Sequence, residues 1–184
     1  EINKYQNPGD ISGERYGLLD MFIEGLKNSS IAVREAAASA LIDINNDRTV
    51  KHLVAALSDS NAGIKNFIIF ALTKYKEPAV SCSLIKMLKD EDNVVRSSAA
   101  DALGDMNIKE AVDFLIDSLR DPDDFVRSSA AYALGKIGDK RAIEPLINLL
   151  KEEWCFDPGN VIKALGQLKA INAVKYLLPH LNSE

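Results

Sequence analysis

The sequence predicts an all-α tandem array of helical hairpins, and three observations carry that prediction. First, the dipeptide Ala-Leu recurs at Ala40-Leu41, Ala71-Leu72, Ala102-Leu103, Ala133-Leu134 and Ala164-Leu165, a constant step of 31 residues. Second, two more apolar ladders keep the same step. One runs Phe22, Leu53, Leu84, Leu115, Leu146, Leu177, and the other Leu26, Leu57, Leu88, Leu119, Leu150, Leu181. Third, the 184 residues are 47% apolar, 27% charged and 7% aromatic, with ten Gly and six Pro. Such a chain can bury a core, which excludes a disordered tail, a collagen-like chain and a disulfide-stapled miniprotein. In a repeat of this period no unit buries its apolar face alone, so stacking supplies the core.

Each unit reads as two helices. First helices are predicted to start near Ser12, Asn46, Glu77, Asn107, Asp139 and Ala170, and second helices near Ser29, Ser60, Glu91, Pro122 and Pro158. That makes about eleven helices and no strand. In the fourth unit Ile143, Leu146, Ile147 and Leu150 fall at i, i+3, i+4 and i+7, one helical face behind Asp139 as N-cap. The partner helix buries Val126, Ala130, Leu134 and Ile137, and Gly135 and Gly138 suit its exit. Residues 1–13 read as an N-terminal extension and 14–184 as one repeat domain of about five repeats plus a terminal helix.

Charge and special residues narrow the function. Acidic residues outnumber basic ones 27 to 22, a net charge of −5, so an overall basic footprint for nucleic acid is missing. No apolar run approaches the 18 or more residues that span a bilayer, and Phe67-Ile-Ile-Phe-Ala-Leu72 is far too short. The first residues lack a signal-peptide profile. Missing an initiator Met and ending on an unpartnered helix, the chain is expected to be an excerpt of something longer. Cys82 and Cys155 show no Cys-x-x-Cys spacing, which predicts free thiols in a reducing, cytoplasmic setting. His52 and His180 lie far apart and outside any metal-ligand spacing, and no Gly-x-Ser-x-Gly or phosphate-binding Gly-rich loop occurs. No catalysis, metal or cofactor is expected.

The strings Val95-Arg96-Ser97-Ser98-Ala99-Ala100-Asp101-Ala102-Leu103-Gly104 and Val126 to Leu146 resemble the short HEAT repeat of the phycobilisome-lyase type. The match weakens at Ile64-Lys65 and Ile68-Ile69, and in the fifth unit, where Asp157-Pro158 replaces Val-Arg. The resemblance implies a right-handed α-α superhelix, with second helices lining a concave surface. It also supports reading Arg34, Lys65, Arg96 and Arg127 with the turn acids Asp59, Asp90 and Asp121 as a ladder between units rather than a phosphate-binding column. Iron-dependent hydroxylases built on similar repeats carry paired His-Glu motifs, which this chain lacks.

Aligning the units with one another separates packing columns from free ones. In the second helices the free columns hold Glu35, Ala36 and Ser39, then Asn66, Phe67 and Phe70, then Ser97, Ser98 and Asp101, then Ser128, Ser129 and Tyr132. Their spacing puts them on one face, opposite the Ala-Leu stripe. Lys74, Asp105, Lys136, Lys163 and Gln167 follow one turn later as a polar rim. Phe67, Phe70 and Tyr132 stand where sister units have Ala, Ser, Asp or Lys, so the fold does not require aromatics there. They are candidate anchors for a partner. The alternative is that Phe67 and Phe70 tuck against Ile68 and Ile69. Trp154-Cys155-Phe156 reads as a plug for the irregular fifth unit.

The leading expectation is a non-catalytic scaffold binding a protein or peptide through its concave face. A lyase-like or chaperone subunit that holds a tetrapyrrole-bearing protein is the alternative, and nucleic-acid binding is less favoured.

Overall fold

The computed structural model describes residues 11–44, 47–151 and 158–176. The helices are α1 (Ile11–Gly25), α2 (Ile31–Ile44), α3 (Asp47–Ala56), α4 (Ala62–Leu72), α5 (Pro78–Met87), α6 (Asn93–Asp105), α7 (Val112–Ser118), α8 (Asp124–Ile137), α9 (Ile143–Leu150) and α10 (Gly159–Gln167). Single 3-10 turns at Lys109–Ala111 and Lys140–Ala142 lead into α7 and α9, and a third, Ile171–Ala173, opens the sixth first helix. No strand occurs among the described residues. The hairpin array is therefore present, with helix starts close to those read from the sequence.

The three ladders are the core. Leu41, Leu53, Leu72, Leu84, Leu103, Leu115, Leu134, Leu146 and Leu165 are all essentially inaccessible, and Leu57, Leu88, Leu119 and Leu150 nearly so. Of the ladder ends, Phe22 and Leu26 are half-buried, whereas Leu177 and Leu181 lie outside the described residues. Val126, Ala130, Leu134 and Ile137 are buried as predicted, as are Leu146, Ile147 and Leu150, while Ile143 is only half-buried.

The helices form two rows. The first helices (α1, α3, α5, α7, α9) make one row and the second helices (α2, α4, α6, α8, α10) the other. From α4 onward, neighbours in the second row pack far more closely than neighbours in the first. The cause is small residues. A Cβ added at Gly104 would lie 2.6 Å from the Ala133 Cα, and one at Gly135 would lie 2.8 Å from the Ala164 Cα. A stack whose rows differ in spacing bends toward the closer row, so the second helices line the inside of the curve. Gly135 was expected at a helix exit, but it sits inside α8, where its missing side chain admits α10. Gly138 does form the exit, with φ of 75° in the left-handed region. Asn107 and Lys169 occupy the equivalent exits at φ of 55° and 53°.

The turns between rows are tied by a ladder of ion pairs. Arg34 donates from Nε and Nη2 to Asp59 at 2.6 and 3.0 Å, and Arg96 likewise to Asp121 at 2.8 and 2.8 Å. Lys65 Nζ reaches Asp90 at 2.7 Å. In each case the acid belongs to the following unit, 25 residues on. The Nη1 groups of Arg34, Arg96 and Arg127 donate to carbonyls of their own preceding turns, at Asn28, Asp90 and Asp121. Each acid also accepts the backbone N–H two residues further on, at Asn61, Asp92 and Asp123. Asn61, Asp92 and Asp123 then cap α4, α6 and α8. The basic column is therefore occupied by structure. The paired side chains are at most 16% exposed, deeper than a surface pair.

Candidate binding surface

The helical periodicity that buries Ala99, Ala102 and Leu103 turns residues at i, i+1 and i+4 outward along the second row. The structure brings the predicted surface together in three zones. On α2, Glu35 and Ala36 are exposed and Ser39 is half-buried. On α4, Phe70 is 74% exposed and Phe67 37%. Lys74, just beyond α4, is also exposed. Phe70 therefore does not tuck against Ile68 and Ile69, which are fully buried, whereas Phe67 shares its area between packing and solvent. Asn66 beside them is half-buried, and its buried amide oxygen lacks a hydrogen-bond partner among the described residues.

The third zone joins α6, α8 and α10. A shallow, open groove of about 440 Å³ is lined by Asp101 and Asp105 from α6, Phe125, Ser128, Ser129 and Tyr132 from α8, and Asn160 from α10. The Tyr132 hydroxyl donates to Asp105 Oδ1 at 2.9 Å, and Lys136 Nζ approaches the same oxygen at 3.3 Å. Lys136 and Lys163 stand over the Tyr132 ring, at 5.6 and 5.8 Å from its centroid. Asn160 Nδ2 donates to Ser128 Oγ at 2.9 Å. Burial pushes the Asp101 carboxyl above the ordinary carboxylate value; a hydrogen bond with Ser129 opposes this and the negative Asp105 adds to it. The hydrogen bond to Asp105, helped by Tyr132, raises Lys136 and holds it cationic.

Phe125 is 75% exposed, and sequence reasoning missed it together with Asn160. The signal was available for both. Phe125 shares its column with Ala32, Gly63, Val94 and Phe156, and Asn160 shares its column with Ala36, Phe67, Ser98 and Ser129. The first column ranges in size from Gly to Phe and the second in polarity from Phe to Asn, so neither requires one particular side chain. Elsewhere, His52 is half-buried, and burial together with Lys51 and Lys27 pushes its imidazole down. His180, Cys155 and the Trp154–Phe156 segment lie outside the described residues. Among the described residues no three His, Cys, Asp or Glu side chains converge as metal ligands, and no helix is long and apolar enough to cross a membrane.

The family model of HEAT repeats matches residues 19–103 and 81–154. No curated protein sequence matches the chain. Among solved structures, the complex of CpcE and CpcF of phycocyanin lyase from Nostoc sp. PCC7120 is similar at 31% identity and a TM-score of 0.66, over 72% of this chain and 58% of that one. The Escherichia coli protein YibA is similar at 25% identity and a TM-score of 0.64, over 87% of this chain and 57% of that one. This chain thus spans under three-fifths of either. A designed armadillo repeat protein in complex with the peptide (KR)4 shares the fold at 17% identity and a TM-score of 0.63, over 89% of this chain and 92% of that one. The buried ladders, the two unequal rows and the matched repeats agree: the chain belongs to the HEAT-repeat family, as an all-α repeat solenoid.

Proposed function

We propose that this chain is a non-catalytic scaffold that binds a protein or peptide through the inner face of its second-row helices. One observation carries the reading: along the second-row helices two large aromatics, Phe70 and Phe125, are about three-quarters exposed. Large aromatics gain nothing for the fold in water, and they dominate the energetics of protein interfaces. Rigid presentation supports the same reading, because a preformed helical surface loses little conformational freedom when a partner lands. Asp101 and Asp105 on the face disfavour a phosphate backbone as its occupant.

The test compares affinity capture by the intact chain and by Phe70→Ser/Phe125→Ser, with circular dichroism confirming equal helicity. Loss of a stoichiometric partner from the variant alone supports the reading, and equal capture by both refutes it. A second reading, a subunit of a chromophore-attaching enzyme complex, is favoured by the 31% identity to the phycocyanin lyase structure. Incubation with a bilin separates the two: a new visible band bound to the protein supports the lyase reading, and an unchanged spectrum removes it.

A further inference from the structure

We infer that the open groove at Tyr132 receives an arginine side chain from the protein partner, and that Lys136 is the group the arginine displaces. The inference rests on the scaffold reading above and names the chemistry its partner must present. The structure shows that cations gather here. The ammonium of Lys136 lies 3.3 Å from Asp105 Oδ1, and it and Lys163 both stand within 6 Å of the Tyr132 centroid. Because the Tyr132 hydroxyl donates to Asp105, the ring and the carboxylate are held as one acceptor surface.

The resident lysines leave part of this acceptor unused. Both lie over the ring, and no ion pair forms between Asp101 and a cation among the described residues. Asp101 has Ser129 as its hydrogen-bonding neighbour, and burial beside Asp105 penalises its negative charge. A cation placed between the two carboxylates relieves that penalty. Arginine fits better than lysine because its planar fork donates to two carboxylates at once while stacking on an aromatic face. Phe125, at the mouth, offers a second ring for its methylene stem. Lys136 is about two-fifths exposed, so releasing its ammonium to water when the arginine arrives costs little. An anionic side chain would meet two carboxylates and gain only the rim lysines.

The experiment titrates the full chain, labelled with nitrogen-15, with N-acetyl-arginine amide and separately with the uncharged N-acetyl-citrulline amide. The arginine compound should shift the backbone signals of Ser128, Ser129 and Asn160 with a Kd on the order of 10 mM, and citrulline should bind at least about tenfold more weakly. Lys136→Gln should tighten arginine binding about threefold by removing the competitor. Asp101→Asn should abolish the preference for arginine with the rest of the spectrum unchanged. Equal responses to the two amides, no response to either, or weaker arginine binding by Lys136→Gln overturns the inference. A partner captured equally by Asp101→Asn but lost from Phe70→Ser/Phe125→Ser overturns the arginine site and leaves the scaffold standing. Absence of both partner and arginine response removes the two together.

Discussion

The second unit and the two that follow it solve the same packing problem with different residues. Thr73, the C-cap of α4, stands in the column where α6 and α8 carry Gly104 and Gly135, and the ladder base is Lys65 where α6 carries Arg96. Lys65 makes one ion pair, to Asp90, whereas Arg96 donates twice to Asp121 and also to the carbonyls of Asp90 and Glu91. The third unit is thus closed by Gly104 and a forked guanidinium, and the second by Thr73 and a single ammonium. The outward faces differ as well. The α4 face is aromatic, with Phe67 and Phe70, while the α6–α8 face is a polar groove with Tyr132 and Phe125 at its wall. Packing is specified tightly where the groove is, and loosely where the aromatic face is.

The sharpest way to break this comparison is to fill a close approach. Gly135→Val would place its branch against the Ala164 backbone, which a flexible side chain cannot relieve. We expect a loss of about 3 kcal/mol, read as a drop of about 10 °C in Tm. The opposite change at the looser unit, Thr73→Gly, should not approach that size. Equal effects would dissolve the distinction between the two regions.

Next comes the ladder. Arg96→Met leaves Asp121 and two turn carbonyls without their donor, at a cost of about 2 kcal/mol by chemical denaturation. Lys65→Met, removing one contact, should cost less than half of that, and Lys65→Arg should raise Tm by about 2 °C if the fork is what the second unit lacks. The ladder also sets a pH dependence. The Arg34 guanidinium holds Asp59 below the ordinary carboxylate value. The folded state therefore releases this proton more readily than the unfolded one. The resulting stabilisation is complete above the ordinary value and is lost as pH falls through the depressed one. Arg34→Met should consequently cost more at neutral pH than in strong acid, where only its bonds to the carbonyls of Asn28 and Ser29 remain to be lost, and an equal cost at both would contradict the pairing.

Asp101 behaves in the opposite sense. Its pKa is raised in the fold, so its charged form is penalised at neutral pH and acidification relieves the penalty. Asp101→Asn should raise Tm slightly at pH 7, with the gain shrinking as pH falls. A carboxylate that contributed to packing would show a loss at every pH.

Much of this was legible in the sequence. Three ladders at one period fixed the hairpins, because buried Leu and Ala must recur wherever identical neighbours stack. The grouping of the candidate residues was legible in outline: Asp101, Asp105, Tyr132, Lys136 and Lys163 do gather on neighbouring second-row helices, and Phe70 is exposed on α4. What stayed hidden were distances across the stack. Gly135 looks like a helix stop along the chain, and only the position of Ala164 shows that it is a contact. Arg34, Lys65 and Arg96 each find their carboxylate partner 25 residues away, whereas Arg127 pairs with Asp124 of its own helix. Phe125 escaped because its column lies a turn before the columns compared.

The smallest expected effect is the most direct test of the central claim, that the inner face is free of packing duty. It is the thermal melt of Phe70→Ser/Phe125→Ser, followed by circular dichroism beside the unaltered chain. With both rings about three-quarters exposed, the account predicts Tm values within about 2 °C of each other. A fall of more than about 4 °C would show that these aromatics belong to the core and that the face is not reserved for a partner.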